Sequence, residues 1–251
     1  MGKKAIGIDI GGTGIKAGVV DTKIGALVGD RLRIETPAGG EPKDIAGACR
    51  TLIDRLNARN SLPVGICFPA VVKHGVTHSA ANVSKAWIGL DADALFEKEL
   101  KRHVHVINDA DAAGAAEMKF GAGKGARGLT IMTTLGTGIG TALFYNGVLI
   151  PNAELGHLEI HGHDAETKAA FSAKEREDLS FPAWAERLQR YYETLERLLT
   201  PDLFIVGGGI SKSHREFLPL LRLKTPIVPA TTKNSAGIIG AASLAYLNSI
   251  D

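Results

Sequence analysis

A glycine-rich turn between two predicted strands occurs twice in the chain, and this repeat constrains the fold more than any other feature. Gly12-Thr13-Gly14-Ile15 recurs as Gly136-Thr137-Gly138-Ile139, and branched apolar residues typical of strands flank both copies. A dinucleotide-binding unit would need a helix that starts inside the glycine turn, whereas each turn here leads into another strand. The repeat therefore predicts two lobes of like topology and argues against a dehydrogenase.

Outside these hairpins, helical and strand patterns alternate along the chain, which is typical of an α/β fold. Strands are predicted at 5–10, 15–21, 27–35, 64–68, 104–107, 128–134, 139–145, 203–206 and 226–228. Helices are predicted at 42–57, 93–102, 110–120, 181–199, 214–221 and 236–247. We place the lobe boundary near Asn108. The small lobe is predicted to contain residues 1–108, completed by the C-terminal helix at 236–251, and the large lobe residues 109–235.

Composition excludes several function classes. The chain has 251 residues, 45% of them hydrophobic, and a chain of this length can bury a core without disulfides or structural metal. Its 29 Lys and Arg against 27 Asp and Glu give a formal charge of +2, too balanced for the strongly basic face expected of a protein that binds the nucleic-acid backbone, although a localised basic groove is still allowed. Cys49 and Cys67 fall in a predicted helix and a predicted strand, which indicates buried free thiols in a reducing compartment. With no signal-peptide pattern and no membrane-spanning apolar run, we expect a cytoplasmic protein without a membrane partner.

The two glycine turns are the first candidates for chemistry. Turns that lack bulky side chains let phosphate oxygens approach successive backbone N–H groups. The hydroxyls of Thr13 and Thr137 add donors, and Lys16 adds a cation beside the first turn. The predicted phosphate-binding residues are Gly11, Gly12, Thr13, Gly14, Lys16, Gly136, Thr137 and Gly138. The alternative is that these glycines only serve tight hairpins that need a positive φ.

Acidic residues stand at two predicted strand ends. Asp9 ends the first strand, where its carboxylate would hold Mg²⁺ through water beside bound phosphate; capping of the turn is the alternative. Asn108-Asp109-Ala110-Asp111 follows another strand and opens a helix. Asp109 could accept the proton of an alcohol during phosphoryl transfer while Asn108 holds a neighbouring hydroxyl. Helix capping is the alternative for Asp109 and Asp111.

Carboxylates and an imidazole lie close together further along the chain, in Glu154-Leu155-Gly156-His157 and in Asp164-Ala165-Glu166. Such residues hold polyols, because carboxylates accept hydrogen bonds from paired hydroxyls and histidine can donate or accept. A structural histidine is one alternative. Metal binding is another, with His157, His161, His163, Asp164 and Glu166 as ligands, although no clean zinc spacing is present.

Together these motifs resemble the ROK family of sugar kinases. The segments that carry the resemblance are DIGGTGIK at 9–16, NDAD at 108–111, LGTGIG at 135–140, ELGH at 154–157 and VGGGIS at 206–211. Within the family, the chain is similar to the subgroup of polyphosphate glucokinases and polyphosphate/ATP glucomannokinases through residues 80–89, 120–125, 149–154 and 201–206. The resemblance covers nearly the whole chain.

The resemblance implies a two-lobed actin-like ATPase fold (ribonuclease H-like, hexokinase-type) with an interlobe cleft, and phosphoryl transfer to the 6-hydroxyl of a hexose with Mg²⁺. It implies that Asp109 is the general base. It implies that the sugar is held by Asn82, Asn108, Asp109, Glu154, His157 and Glu166. It matches Gly207, Gly208 and Gly209 to the turn that receives the nucleotide of ATP.

One departure from the family concerns metal. ROK proteins commonly continue past the histidine of the Glu-x-Gly-His motif into a cysteine-rich zinc loop, whereas this chain has Leu158 to His163 there and no cysteine. We therefore expect no structural zinc, a lack that the polyphosphate subgroup shares.

A polyphosphate donor would need a string of cations that leads to the reacting end. The candidates beside the motif segments are Lys85, Lys119, Lys124, Arg127 and Lys212, with solvated surface side chains as the alternative.

The resemblance implies a hexokinase that transfers a phosphoryl group from polyphosphate, and also from ATP, to glucose and also to mannose. A strictly ATP-dependent ROK sugar kinase is the alternative within the fold. ROK repressors carry an N-terminal helix-turn-helix, for which a first strand at Ala5 leaves no room. A non-catalytic sugar-binding protein would need neither Asp109 nor both glycine turns. We expect a monomer or a homodimer.

Overall fold

The computed structural model describes residues 3–81, 83–232 and 235–249. The chain divides into two units: the first contains Met1–Ala116 and Ser235–Asp251, and the second contains Glu117–Asn234. The changeover falls within the helix that begins at Asp109, whereas the lobe boundary expected from the sequence stands at the start of that helix. The lobe division stays a prediction.

The first unit is built on a mixed sheet with the order β3-β2-β1-β5-β8, in which β4 also pairs with β2. Its strands are β1 (Lys4–Gly11), β2 (Gly14–Asp21), β3 (Ala26–Leu27), β4 (Leu32–Ile34), β5 (Val64–Phe68) and β8 (Val104–Asn108), and a separate small pair is formed by β6 (Val72–Lys73) and β7 (Val76–Thr77). Its helices are α1 (Pro42–Leu56), α2 (Ala92–Leu100), α3 (Asp109–Phe120, of which the unit contains the part up to Ala116) and α7 (Ala236–Asn248). Strands β1, β5 and β8 run parallel, so their carboxyl ends share one edge of the sheet.

Helices form in this unit where one face is apolar. In α1 the residues Ile45, Cys49, Leu52 and Ile53 recur at helical spacing and are all buried, and Asn57 ends the helix in the left-handed conformation. Trp87 is fully buried in the same core, where its indole Nε1 donates to the Gly40 carbonyl at 2.9 Å.

The second unit is built on a sheet with the order β11-β10-β9-β14-β15. Its strands are β9 (Leu129–Leu135), β10 (Ile139–Tyr145), β11 (Val148–Ile150), β14 (Leu203–Gly207) and β15 (Ile227–Pro229), and a two-stranded hairpin is formed by β12 (Glu159–Ile160) and β13 (His163–Asp164). Its helices are α4 (Glu166–Ala169), α5 (Phe171–Arg176) and α6 (Phe181–Leu199). Helix α6 buries Trp184, Leu188 and Leu195 in a second core. Among the residues described, no helix is both long and apolar enough to cross a bilayer.

Most predicted elements are confirmed, but two are wrong. The single strand expected at 27–35 is interrupted, because Gly29 takes a φ of 86° between β3 and β4. The α-helix expected at 214–221 is replaced by 3₁₀ turns at Gly209–Glu216 and Leu218–Leu220. The backbone angles of Ser213 are non-helical within Gly209–Glu216, and Pro219 has no N–H for an α-helical hydrogen bond.

Candidate active site

The first glycine turn joins β1 to β2, with Gly11 and Gly14 paired in the antiparallel register. The guanidinium of Arg33 donates to the Thr13 carbonyl at 3.0 Å. None of Gly11, Gly14, Gly136 and Gly138 has a φ in the left-handed region, so the interpretation that these positions need a positive φ is wrong. What Gly14 provides is space, because a Cβ there would stand 2.7 Å from the Nε of Arg33.

Asp9 lies beside this turn and is held on both carboxylate oxygens. The ammonium of Lys16 pairs with Oδ2 at 2.9 Å, and the thiol of Cys67 donates to Oδ1 at 3.4 Å. The register explains the thiol contact, since Asp9 pairs with Cys67 across the parallel strands β1 and β5. Gly237 of α7 allows this packing, because a Cβ there would stand 2.9 Å from the Cys67 sulfur.

Cys67 also connects Asp9 to Asp109. Burial raises the pKa of the Cys67 thiol, and the carboxylates of Asp9 and then Asp109 raise it further. Both carboxylates therefore act on the same sulfur at the carboxyl edge of β1, β5 and β8. Because the thiol stays protonated, it can donate a hydrogen bond to Asp9.

Asn108 ends β8 and caps α3. Its Oδ1 accepts from the backbone N–H of Ala110 at 2.8 Å and of Asp111 at 3.1 Å, and its Nδ2 donates to the Ala70 carbonyl at 3.1 Å. Asn108 is therefore buried and extensively bonded, while Asp109 is exposed in the first turn of α3, with Oδ1 accepting from the N–H of Ala110 at 2.8 Å. Asp111 is buried.

The second glycine turn joins β9 to β10 and is bonded to the elements around it. Ser172 donates from its N–H to the Gly136 carbonyl at 3.0 Å and from its hydroxyl to the Thr137 carbonyl at 2.6 Å. Glu166 accepts from the N–H of Ile139 at 3.0 Å, and a Cβ on Gly138 would overlap the Glu166 carboxylate. The glycine thus lets a carboxylate approach the end of the turn.

Glu154, His157, Asp164 and Glu166 come together in one cluster of the second unit. The Nδ1 of His157 lies 2.8 Å from Asp164 Oδ2 and 4.0 Å from Glu166 Oε1, and its Nε2 lies 4.0 Å from Glu154 Oε2. The hydrogen bond to Asp164 raises the pKa of His157, partial burial opposes this, and the carboxylates of Glu166, Asp164 and Glu154 add to the rise. Burial raises the pKa of Glu154.

Three residues of this cluster also lie close enough together to hold a metal ion. Of the five ligands considered from the sequence, His157, Asp164 and Glu166 offer atoms that all lie within 4.8 Å of one another. The direct hydrogen bond between His157 and Asp164 accounts for their closeness, and it occupies Nδ1, so that Nε2 is the ring nitrogen on the other side of the imidazole.

The third glycine segment follows β14. Gly208 takes a φ of 85°, and a Cβ there would overlap the Leu135 backbone at the end of β9. Gly207 ends the strand and Gly209 begins the 3₁₀ turn, with open space around its Cα. The segment therefore brings bare backbone close to the second glycine turn.

The basic residues expected along a donor groove are all exposed: Lys85, Lys119, Lys124, Arg127 and Lys212. Lys119 lies over the Phe120 ring at 5.2 Å. The loop that carries Lys124 is fixed by the buried Glu117, whose carboxylate accepts from the backbone N–H groups of Ala122 at 2.8 Å and Thr231 at 2.9 Å. Asn82, also expected at the sugar, lies outside the described residues.

Sequence reasoning missed several residues that position this chemistry. The sequence identifies Cys67 only as a buried thiol, and it does not single out Glu117 or Ser172. Asp164 was grouped with the polyol-binding carboxylates but not identified as the partner of His157. A strand register is needed to find Cys67, and a fold is needed to find the others.

Comparison with known proteins identifies the family of the chain. The sequence pattern of the ROK family matches residues 5–176. The chain is 47% identical to the polyphosphate glucokinase of Mycobacterium tuberculosis over 241 residues, which covers 96% of this chain and 90% of that protein. It is 33% identical to the glucokinase of Streptomyces coelicolor, with 96% of each chain covered.

Solved structures give the same result. The inorganic polyphosphate/ATP-glucomannokinase from Arthrobacter sp. strain KM superimposes with a TM-score of 0.93 at 55% identity, covering 98% of this chain and 99% of that one. A ROK family glucokinase from Streptomyces griseus, solved with glucose and AMPPNP, shares the fold with a TM-score of 0.78 at 24% identity, over 96% of this chain and 98% of that one. Motifs, fold and sequence identity lead to one conclusion: the chain belongs to the ROK family.

Proposed function

We propose that the chain is a hexokinase that transfers a phosphoryl group from inorganic polyphosphate, and also from ATP, to the 6-hydroxyl of glucose. Mannose is a second sugar substrate. The observation that carries the proposal is the placement of Asp109: it stands exposed at the first turn of α3, at a sheet edge that also holds Asp9, while Asn108 supplies the helix cap. Identity to named polyphosphate glucokinases and to a polyphosphate/ATP-glucomannokinase supports the donor and the sugar.

Asp109 is the general base in this proposal. Phosphoryl transfer requires mainly positioning and charge stabilisation, and a carboxylate that accepts the hydroxyl proton helps the oxygen attack. Asn108 makes the cap hydrogen bonds to the N–H groups of Ala110 and Asp111, so the cap of α3 does not depend on Asp109 alone. This division of roles supports Asp109 as the general base rather than as the sole helix cap.

Sugar hydroxyls are assigned to Glu154, His157 and Glu166, with Asn82 and Asn108 in addition. The first three are supported by their mutual distances, since an imidazole among carboxylates can bind adjacent hydroxyls with fixed donor and acceptor roles. The Oδ1 of Asn108 already accepts from Ala110 and Asp111, and one Nδ2 hydrogen is donated to Ala70, so Asn108 would offer a sugar hydroxyl its second Nδ2 hydrogen.

Donor phosphates are assigned to the glycine segments and the exposed cations. The first two turns hold Gly11, Gly12, Thr13, Gly14, Lys16, Gly136, Thr137 and Gly138, and Gly207, Gly208 and Gly209 receive the nucleotide when ATP is the donor. The groove for polyphosphate would use the exposed Lys85, Lys119, Lys124, Arg127 and Lys212.

The residues present suit Mg²⁺, a hard cation that prefers carboxylate oxygen and water. Asp9 presents a partly exposed carboxylate whose orientation is fixed by Lys16 and Cys67, and it would hold the ion through water. When bound, Mg²⁺ neutralises charge on the transferred phosphoryl group. The ammonium of Lys16, beside Asp9, would add a second positive charge near the transferred phosphoryl group.

The test is the initial rate of glucose 6-phosphate formation with Mg²⁺, measured with nucleotide-free polyphosphate and separately with ATP. We expect turnover with both donors. Asp109→Asn should lower kcat by roughly 10²–10⁴-fold and leave glucose binding intact. Asp44→Asn, which changes an exposed carboxylate in the first turn of α1, should leave kcat unchanged.

Turnover with ATP alone would support the strictly ATP-dependent alternative, and turnover with polyphosphate alone would remove the nucleotide role of Gly207–Gly209. Glucose binding without turnover from either donor would leave a sugar-binding protein. The cytoplasmic location and the monomeric or dimeric state belong to the same proposal.

A further inference from the structure

The hairpin that follows His157 borders a cavity of about 340 Å³ in the second unit. Residues of β12, β13, α4 and α6 line it, and five of them carry basic or imidazole side chains: His161, His163, Lys168, Arg187 and Arg190. Its volume falls within the range of small-molecule sites, roughly 300–1,000 Å³. None of the roles assigned above uses this cavity, which we call the basic pocket.

The charged side chains that line the basic pocket are all positive or imidazole groups. No acidic residue is among the described residues that line it. Arg187 is neutralised by Glu177, outside the lining, through an ion pair of 2.5 Å. Lys168 and Arg190 are exposed and make no ion pair within the described part of the chain, so positive charge remains at the opening.

Tyr191 supplies a second, independent observation. It lines the same cavity with 1% of its surface exposed, and its hydroxyl is buried without a hydrogen-bond partner among the described residues. An unsatisfied buried hydroxyl is costly and uncommon, and the Tyr191 hydroxyl offers a donor to an oxygen acceptor that binds beside it. Burial raises the pKa of the Tyr191 phenol, and Tyr192 and the Glu166 carboxylate raise it further, so the group stays a donor.

We propose that the basic pocket is a second anion site, which binds a small molecule that carries a phosphate group. Arginine presents a planar fork of donors that matches phosphate oxygens, and lysine adds a mobile point charge. Buried Ala165 and Ala169 give the pocket an apolar floor beside these cations, so it can accept more of a ligand than the phosphate alone. Inorganic phosphate, tripolyphosphate and a hexose monophosphate share the required chemistry.

Binding in the basic pocket would affect the sugar-binding cluster, because the pocket and the cluster share one backbone segment. His163 lines the pocket, and the next residue, Asp164, holds His157 through the 2.8 Å hydrogen bond. Ala165 lines the pocket and precedes Glu166 in the same way. A ligand in the basic pocket therefore contacts the backbone segment that positions two residues of the cluster. This consequence rests on the proposed function, but binding itself does not.

The test uses the full chain and a readout that belongs to the pocket. Inorganic phosphate, tripolyphosphate and glucose 6-phosphate are titrated separately, and the ring signals of His161 and His163 are followed by NMR after assignment with H161N and H163N. We expect saturable shifts for at least one of the three, which identifies the ligand source. His74 and His103, which do not line the pocket, should not shift.

Variants decide whether the pocket is responsible. Arg190→Gln should weaken the apparent affinity roughly tenfold, because a charged hydrogen bond is lost. Arg197→Gln, an exposed arginine of the same helix that does not line the pocket, is the matched control and should bind as the wild type does. Tyr191→Phe should weaken binding while it keeps the melting temperature of the unliganded protein, since the hydroxyl it removes has no partner.

The proposal is overturned if none of the three anions shifts His161 or His163, or if Arg190→Gln and Tyr191→Phe both bind as tightly as Arg197→Gln. Failure of the hexokinase assay would not produce either result, because the NMR readout needs no turnover. The two proposals can therefore fail separately.

Discussion

His157 and Asp164 show how a single hydrogen bond can set the chemistry of a residue. The pKa of His157 is raised above 6.5 chiefly by its bond to Asp164. Protonated His157 therefore stabilises the fold below about pH 6.5, and this contribution is lost as the pH rises through the raised pKa of the folded state. Asp164→Asn should lower the pKa of His157 and reduce this stabilisation, by less than about 1 kcal/mol because the pair is exposed.

The measurement is an NMR titration of the His157 ring, combined with urea unfolding at pH 5.5 and pH 8. Glu159→Gln is the control, because Glu159 lies opposite Asp164 on the same hairpin but is not among the groups that shift His157. An unchanged titration of His157 in Asp164→Asn would assign the raised pKa to Glu166 and Glu154 instead.

At the residue scale, the sequence is informative where a motif fixes spacing along the chain. Asp9 could be placed near the end of a strand, Asp109 directly after one, and Glu154 and His157 in one group, because each pattern is local. The contacts of Cys67 with Asp9 and of Glu117 with Thr231 depend on pairing between distant segments. Local patterns carry no information about such pairing, so these positioning residues could not be found.

Helix α7 is the element that shows best what a glycine can contribute. It lies directly against the sheet of the first unit at Gly7 and Gly65, where a Cβ would overlap the carbonyl oxygens of Ile238 and Ala241. Gly65→Ala should therefore lower the free energy of unfolding by at least about 1 kcal/mol, because the added methyl group overpacks the contact with α7. The measurement is the free energy of unfolding in urea.

Gly47→Ala is the matched control for this substitution. Gly47 lies inside α1, no atom stands within 4 Å of a Cβ built on it, and its φ is outside the left-handed region. Alanine should stabilise the helix there by about 0.8–1.0 kcal/mol. Equal effects of the two substitutions would contradict the close packing of α7 on β5.

At the element scale, the predictions succeeded where hydrophobic periodicity was strong and failed where it was absent. Helix α6 has the predicted bounds, because a broad apolar face recurs from Trp184 to Leu195. The short hairpin of β12 and β13 and the 3₁₀ turns after Gly208 are too brief for any period to develop. Their conformation depends on the surrounding fold rather than on a pattern.

At the scale of the whole molecule, the chain has a separate hydrophobic core in each unit, and each core contains one buried tryptophan, Trp87 in the first and Trp184 in the second. Trp184→Phe leaves Trp87 as the only fluorescent indole, and Trp87→Phe leaves Trp184. The two variants therefore report the unfolding of different units. Proteins with more than one core often depart from two-state unfolding, so the two reporters need not agree.

Cavities placed in one core test this independence. Leu52→Ala in the first core should lower the stability read by Trp87 by about 2–5 kcal/mol and the stability read by Trp184 by less, and Leu195→Ala in the second core should do the reverse. Each cavity variant is compared with its own single-tryptophan parent in urea. Equal shifts at both tryptophans would mean that the two cores unfold as one cooperative unit. Unequal shifts would mean that each unit keeps its own stability, so that ligand binding to residues of one unit raises mainly the transition of that unit.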